Sequence, residues 1–123
     1  RNVYFLPKIS SDLIPAYLNQ ADLLFLCYQD QFHAEQSNSH KILEYLYSGK
    51  PIVASYTAEY QNKDLISMCH SNSEWPELLS RVLTKLGKYQ DPEQVEKRKN
   101  WAVQNSYDQQ ITKIEGLIST LRK

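Results

Sequence analysis

The sequence predicts an α/β protein with a Rossmann-like parallel sheet of about four strands, flanking helices and a helical C-terminal tail. Short apolar stretches alternate with stretches of helical periodicity up to residue 72. This alternation is typical of a doubly wound parallel sheet. From Ser73 onward the sequence shows only helical patterns. We therefore expect a single domain over residues 1–123, with a β/α core at 1–72 and a helical part at 73–123.

The beginning of the predicted core contains a strand, a helix and a second strand. Residues 2–6, "NVYFL", are β-branched and aromatic, which is typical of a strand. Residues 10–21 place apolar side chains at helical spacing, with Ser10 or Ser11 as the N-cap. Residues 22–28, "DLLFLCY", form a nearly continuous apolar run of strand length, which indicates a strand covered on both faces.

The remainder of the core contains a long loop, a helix and two further strands. A polar loop at 29–39 leads to a helix at 40–48, which Gly49 is expected to end. Strands are predicted at 51–55 and at 64–70. The loop is longer than the roughly two to six residues usual for a strand-to-helix connection. Ligands of such sheets bind at the carboxyl ends of the strands, so this loop marks the expected functional region.

The C-terminal part is predicted to consist of helices at 74–87, 91–104 and 107–122. Gly87 is expected to separate the first two of these helices. The run "EQVEKRKN" at 93–100 carries both acidic and basic side chains, and we interpret it as a solvated helix face.

Charge and cysteine content restrict the class of protein. The chain carries 14 basic and 14 acidic side chains, and this balance argues against binding to nucleic acid. Cys27 and Cys69 each lie in an apolar stretch, so we expect two small buried side chains in a reducing compartment. No signal segment or membrane-spanning run is recognisable, which predicts a cytoplasmic protein. Because the chain opens at Arg1 and enters a predicted strand at once, we expect a piece of a longer protein.

Two basic residues, His40 and Lys41, occupy the first turn of the helix predicted at 40–48. A helix start presents free N–H groups and a partial positive charge, so basic side chains there cost about 0.3–1 kcal/mol. One explanation is that a bound anion completes this end of the helix.

The neighbouring residues extend this explanation to a specific ligand. The backbone N–H groups of Ser37, Asn38 and Ser39 are placed to cradle a phosphate or diphosphate beside Lys41. Glu44, one turn further, is placed to accept hydrogen bonds from the vicinal hydroxyls of a ribose. The alternative is an ordinary capped helix with a surface ion pair between Lys41 and Glu44, worth a few tenths of a kcal/mol. The residue types alone leave both explanations open.

Two stretches of the chain resemble a known protein family. "NVYFLPKISSDLIPAYLNQADLLFLCY" and "SHKILEYLYSGKPIVAS" resemble the donor-binding half of retaining GT-B glycosyltransferases of the glycosyl transferases group 1 type. Those proteins show a strand like "NVxFLG", a helix like "ELPxYLxxAD" and then "xKxxEYLAxGKPVVA". The resemblance covers residues 2–55 well and the C-terminal helices more loosely. It implies the C-terminal, nucleotide-sugar-binding domain of such an enzyme, truncated at its N-terminal side.

The resemblance also implies a role for each residue of the region. Glu44 matches the glutamate that binds the ribose of a nucleotide-sugar. The residues that it places at the diphosphate are Ser37, Asn38, Ser39, His40 and Lys41. Many members carry another acidic residue that contacts the donor sugar, and Gln36 holds that position here, with Glu35 beside it. Either Gln36 makes a neutral contact, or Glu35 substitutes after a register slip, or the sugar is held differently.

The implied parent enzyme transfers a sugar from a UDP-, GDP- or similar donor to a glycan or lipid-linked acceptor. Its partners are then the nucleotide-sugar and an N-terminal acceptor-binding domain of the parent chain, and peripheral association of the full-length enzyme with a membrane is compatible with this role. GT-B enzymes generally need no metal, so no metal or other cofactor is expected. We assign no catalytic residue and expect no transfer by residues 1–123 alone. The alternative is a non-catalytic small α/β binding or interaction domain, in which 37–44 merely starts a capped helix.

Overall fold

The computed structural model of the chain describes residues 2–28 and 40–122. In these ranges the helices and strands are α1 (Ile14–Gln20), β1 (Leu24–Leu26), α2 (His40–Ser48), β2 (Ile52–Ser55), β3 (Ser67–Cys69), α3 (Trp75–Thr84), α4 (Leu86–Tyr89), α5 (Pro92–Gln104) and α6 (Tyr107–Leu121). Short 3-10 turns lie at Ser11–Leu13, Ala58–Tyr60 and Asn72–Glu74.

The strands form one parallel sheet with the order β1-β2-β3. Leu24 of β1 lies opposite Ile52 of β2, and Ala54 of β2 lies opposite Met68 of β3. The predicted α/β class with a parallel sheet and flanking helices is therefore confirmed. The described sheet has three strands, slightly fewer than the roughly four predicted from the apolar runs.

Apolar cores lie on both faces of this sheet, as expected for a parallel sheet. Helices α1, α2 and α5 cover one face, and α3 covers the other. The first core includes Leu24, Leu26, Ile42, Leu46, Ile52, Ala54 and Ala102. The second core consists of Val53, Cys69, Trp75, Leu78 and Val82. Alternate residues of β2 thus point into different cores, which fixes the register of the central strand.

The helix predicted at 40–48 has the bounds of α2. It ends because Gly49 adopts the left-handed conformation, with φ of +76°. A Cβ atom at this position would lie 2.7 Å from Cγ1 of Val95. Gly49 therefore serves both the end of α2 and its close packing against α5.

The strand predicted at residues 2–6 is wrong, because these residues adopt no regular structure. Their apolar side chains, from Val3 to Leu6, are between 62% and 86% exposed. A β-branched and aromatic composition favours a strand only where a neighbouring strand accepts its backbone hydrogen bonds. In the described ranges no strand lies beside residues 2–6.

Other boundaries also differ from the predictions. Strand β1 is shorter than 22–28, and its Phe25 is 45% exposed although its ring stacks on that of Trp75. Ser10 precedes the first 3-10 turn, but its side chain makes no capping hydrogen bond. The helix predicted at 74–87 breaks at Lys85, which leaves the helical conformation with φ −116° and ψ 26°. Gly87 consequently lies inside α4 and does not separate two helices.

Two expectations about burial also need correction. Cys69 is buried as predicted, but Cys27 is exposed. The charged run at 93–100 is not wholly solvated, because Arg98 is only 3% exposed. Its guanidinium lies inside the fold, where it donates hydrogen bonds to backbone carbonyl groups. Among the helices of the described ranges, none has the length and apolar character needed to cross a membrane.

Candidate functional site

The candidate site lies at the start of α2. A helix that connects parallel strands begins on the side of the sheet where the preceding strand ends. His40 therefore lies at the carboxyl edge of the sheet, where doubly wound proteins bind ligands. At the same edge the backbone N–H of Tyr28, just beyond β1, donates to Oγ of Ser55 in β2 at 2.9 Å.

His40 and Glu44 lie together on one face of α2, as their spacing predicts. The distance from His40 Nε2 to Glu44 Oε1 is 3.9 Å, and their side chains are 54% and 42% exposed. This distance is longer than a hydrogen bond. The pair is therefore a weak, solvent-exposed contact, and both side chains remain accessible to a ligand.

A groove of about 520 Å³ opens beside these residues. Its apolar walls come from α1, α2 and α5, and they consist of Ile14, Pro15, Leu18, Leu43, Tyr47 and Ala102. Its polar lining consists of His40, Glu44, Ser11, Asn19, Ser48, Lys99, Ser106 and Tyr107. This volume and this mixture of apolar walls and a few polar groups are typical of small-molecule sites.

Tyr107, at the first position of α6, closes one side of the groove. Its ring stacks on the imidazole of His40, with centroids 5.1 Å apart and an interplanar angle of 22°. A second groove of about 390 Å³ adjoins the first, and His40, Leu43 and Tyr107 line both grooves. The His40–Tyr107 stack is therefore part of the wall that the grooves share.

The second groove is more polar than the first. Its further lining residues are Glu59, Tyr60, Trp101, Asn105 and Gln110. The ring of Trp101 has Nζ of Lys63 at 5.0 Å from its centroid and meets the ring of Tyr60 edge-on at 6.5 Å. These aromatic contacts hold the turn before Gln61 against α5.

A hydrogen bond to strand β1 helps to hold α2 in position. The hydroxyl of Tyr45 donates to the backbone carbonyl of Phe25 at 3.3 Å. Burial raises the pKa of Tyr45 above its ordinary value, and the adjacent Glu44 carboxylate raises it further. Tyr45 therefore stays protonated as a donor at neutral pH, and α2 presents Glu44 from a fixed backbone.

The structure accounts for part of the predicted site. His40 and Glu44 line the groove, and Lys41 is exposed at the same end of α2. The remaining predicted ligand contacts lie outside the described residues, and they are Glu35, Gln36, Ser37, Asn38 and Ser39. The predicted cradle for the phosphates and the contact with the donor sugar therefore stay predictions.

Sequence reasoning missed the residues that other helices bring to the groove. Tyr107, Lys99 and Pro15 belong to three different helices, and no local spacing relates them to His40. Over residues 2–28 and 40–122, no group of three or more His, Cys, Asp and Glu side chains is arranged to hold a metal ion. Comparison of the chain with protein-family models, curated proteins and solved structures finds no significant match.

Proposed function

We propose that this chain is the donor-binding part of a glycosyltransferase, which binds a nucleoside diphosphate sugar at the start of α2. The observation that carries the proposal is the position of Glu44. This exposed carboxylate lies on the wall of a groove of about 520 Å³, one turn from a helix start that carries His40 and Lys41. A negative group for hydroxyls and a positive helix end for phosphates thus lie side by side.

Glu44 is the proposed acceptor for the ribose hydroxyls. An ionised carboxylate accepts hydrogen bonds and donates none, so it suits a diol and repels a phosphate. The 3.9 Å separation from His40 leaves the carboxylate oxygens able to accept from a ligand.

The diphosphate is proposed to bind at the helix start. Free N–H groups and the partial positive charge favour an anion there, and Lys41 adds to this attraction, with His40 beside it in the first turn. The backbone N–H groups of Ser37, Asn38 and Ser39 would complete the cradle. The donor sugar would then meet Gln36 or Glu35.

The proposed activity of the parent protein is transfer of this sugar to a glycan or lipid-linked acceptor. The acceptor is proposed to bind on a separate N-terminal domain, so binding without transfer is expected of this chain alone. Helix ends and basic side chains stabilise a leaving diphosphate electrostatically, so the proposal requires neither a metal ion nor another cofactor. Binding of nucleic acid is not part of the proposal, and a cytoplasmic location remains an expectation from the sequence.

Calorimetric or NMR titration with UDP, GDP and their sugar conjugates tests the proposal. The Glu44→Ala and Lys41→Ala variants are each expected to weaken binding by about tenfold or more, because each removes a charge-assisted contact. Glu115→Ala is the matched control, because this exposed glutamate of α6 lines neither groove. If Glu44→Ala and Glu115→Ala bind UDP as tightly as the wild type, the proposal is wrong.

One observation favours the alternative of a non-catalytic interaction domain. Helix α6 contains no buried residue, although an apolar stripe runs along it. The exposed apolar residues of this stripe are Tyr107, Ile111, Ile114, Leu117, Ile118 and Leu121. Exposed stripes of this size commonly mark interaction surfaces. The same titration separates the two functions, because an interaction domain would bind none of the nucleotides.

A further inference from the structure

We infer that Tyr107 is a ligand-contacting residue of the groove, against whose ring the purine or pyrimidine base of the bound nucleotide stacks. This inference rests on the proposed function and adds to it the position of the base. It also gives the first turn of α6 a role in ligand binding, although α6 lies far from α2 in the sequence.

The positions of Glu44 and Tyr107 restrict where the base can lie. Both residues line the groove of about 520 Å³, from different helices. A base is joined to its ribose by a single bond, so a ribose held by Glu44 brings its base within a few ångströms of the carboxylate. The apolar walls of this groove are therefore the surface nearest to the base.

The His40–Tyr107 stack already shows the geometry that a base would extend. The two rings lie 5.1 Å apart at an angle of 22°, close to parallel. Tyr107 is nevertheless 68% exposed, so a further flat partner can approach its side chain. Bases stack on such rings irrespective of their identity, because every base has a π-face.

The other walls of the groove have the chemistry that a base requires. Pro15, Leu18 and Tyr47 offer apolar surface to the faces of the ring. Ser11, Asn19 and Ser106 place hydroxyl and amide groups where the polar edge of a base would find donors and acceptors. The groove is thus a better fit for a nucleobase than for a free sugar, which would need polar partners all round.

The backbone of Tyr107 is held in place by the capping structure around it. Ser106 is the N-cap of α6, and its Oγ accepts from the backbone N–H of Gln109 at 3.4 Å. The carbonyl of Ser106 accepts from the N–H of Gln110 at 2.9 Å, and the side chain of Gln110 donates to Oδ1 of Asn105 at 3.3 Å. These bonds set where the ring of Tyr107 lies at the start of α6, and replacing this exposed side chain leaves the cores intact.

The inference is tested by titrating Tyr107 variants with ligands that carry a base and with a ligand that lacks one. Tyr107→Ala is expected to weaken the binding of UDP and GDP by about tenfold. Tyr107→Phe should keep wild-type affinity, because the ring remains. Ribose 5-phosphate, which has no base, is expected to bind Tyr107→Ala and the wild type equally. Ile111→Ala, one turn along α6 and outside both grooves, is the matched control and should change nothing.

The outcomes distinguish a failed inference from a failed proposal. If Tyr107→Ala leaves the affinity for UDP and GDP unchanged while Glu44→Ala lowers it, Tyr107 does not contact the base and the donor-binding function stands. If Tyr107→Ala weakens the binding of ribose 5-phosphate as much as that of UDP, Tyr107 only shapes the site, and the inference is again overturned. If Glu44→Ala changes the affinity for none of the ligands, the donor-binding function fails and the inference fails with it.

Discussion

The carbonyl oxygen of Gly49 accepts a hydrogen bond of 2.9 Å from Nη1 of Arg98. The same guanidinium donates to the carbonyl of Tyr89 at 2.7 Å and to that of Leu65 at 3.4 Å. One side chain of α5 thereby joins the end of α2, the end of α4 and the segment before β3. Because α2 carries the candidate site, Arg98 supports the position of Glu44 from the opposite end of the helix.

Replacement of Arg98 is expected to destabilise the fold strongly. Arg98→Met keeps the apolar stem but removes the donors for three backbone carbonyls, at about 1 kcal/mol each, or about 3 kcal/mol in all. Burial also lowers the pKa of Arg98, and the Asp64 carboxylate opposes this shift. Urea unfolding measures the loss of stability.

Lys97→Ala is the matched control for this measurement. Lys97 is the preceding residue of α5 and contacts Asp64 at 3.1 Å, but both side chains of this ion pair are exposed. An exposed pair contributes about 0–1 kcal/mol. Equal losses in the two variants would show that the buried hydrogen bonds of Arg98 do not matter.

The glycine in this contact gives a second prediction. Gly49→Ala is expected to lower the free energy of unfolding by about 2 kcal/mol, because the left-handed backbone is strained for any residue with a Cβ atom. That Cβ atom would also lie 2.7 Å from Cγ1 of Val95. Gly87→Ala is the control, because a Cβ atom there meets nothing within 4 Å. Thermal unfolding should show a large loss for Gly49→Ala and none for Gly87→Ala, and similar curves would contradict this account.

The parts of the fold that depend on local signals could be predicted from the sequence. Helix α2 has its predicted bounds, because its apolar spacing and the following Gly49 act within the segment itself. The strand predicted at 2–6 fails because pairing depends on a neighbour elsewhere in the chain. The burial of Arg98 could not be foreseen either, because its charged neighbours are solvated and its acceptors are backbone groups of distant segments.

The candidate site was predictable to the same extent. The spacing of His40 and Glu44 fixes their common face on any helix. The stack of Tyr107 on His40 requires α5 and α6 to return to the start of α2, and no periodicity encodes that return. A sequence therefore indicates the residues of one helix that contribute to a site, but not the residues that other helices bring to it.

The start of α3 gives a prediction about pH. The Glu74 carboxylate accepts hydrogen bonds from the backbone N–H groups of Ser71 at 2.7 Å and His70 at 2.8 Å. The bond from Ser71 is the main cause that lowers the pKa of Glu74 below its ordinary value of 4.5. Because the pKa is lowered in the folded state, the ionised carboxylate contributes its full stabilisation above the ordinary value of 4.5. This stabilisation is lost as the pH falls through the lowered pKa of the folded state.

Comparison of Glu74→Gln with the wild type isolates this effect. At neutral pH the variant is expected to unfold at a lower urea concentration, because a neutral amide is a weaker acceptor than a carboxylate. The difference should shrink as the pH falls from 4.5 through the lowered pKa of the folded state, where the wild-type carboxylate becomes protonated. A difference that stays constant across this range would contradict the assignment of the capping bonds to the ionised form.

The charge of the ligand gives a prediction about the proposed site. Because the start of α2 is expected to hold a diphosphate, UDP should bind about tenfold more tightly than UMP at low salt. Added salt should reduce this difference, since the attraction of exposed charges such as Lys41 is screened. In Lys41→Ala the preference for UDP over UMP should become smaller. Calorimetry at two salt concentrations measures it, and equal affinity for UDP and UMP would place the phosphates elsewhere.

Helix α6 is expected to be less protected from hydrogen exchange than α5, the other long helix in the described part of the chain. None of its residues from Tyr107 to Leu121 is buried, whereas α5 buries Arg98 and Ala102. An isolated helix of about 12–15 residues is only marginally stable in water, so its amide hydrogens should exchange faster than those of α5. Hydrogen exchange read by mass spectrometry measures both helices in one experiment.

Two changes should slow the exchange of α6 for different reasons. Gly116→Ala raises helix propensity by about 0.5–1 kcal/mol, and its Cβ atom meets nothing within 4 Å, so protection should rise along the whole helix. Added UDP should instead protect only the first turn, because only Tyr107 and its capping residues are proposed to face the ligand. If UDP slows exchange around Leu121 as much as around Tyr107, α6 responds as one body, and the ligand contact is not confined to its first turn. If α6 is already as protected as α5 in the free protein, the expectation that its lack of buried residues leaves it less protected is wrong.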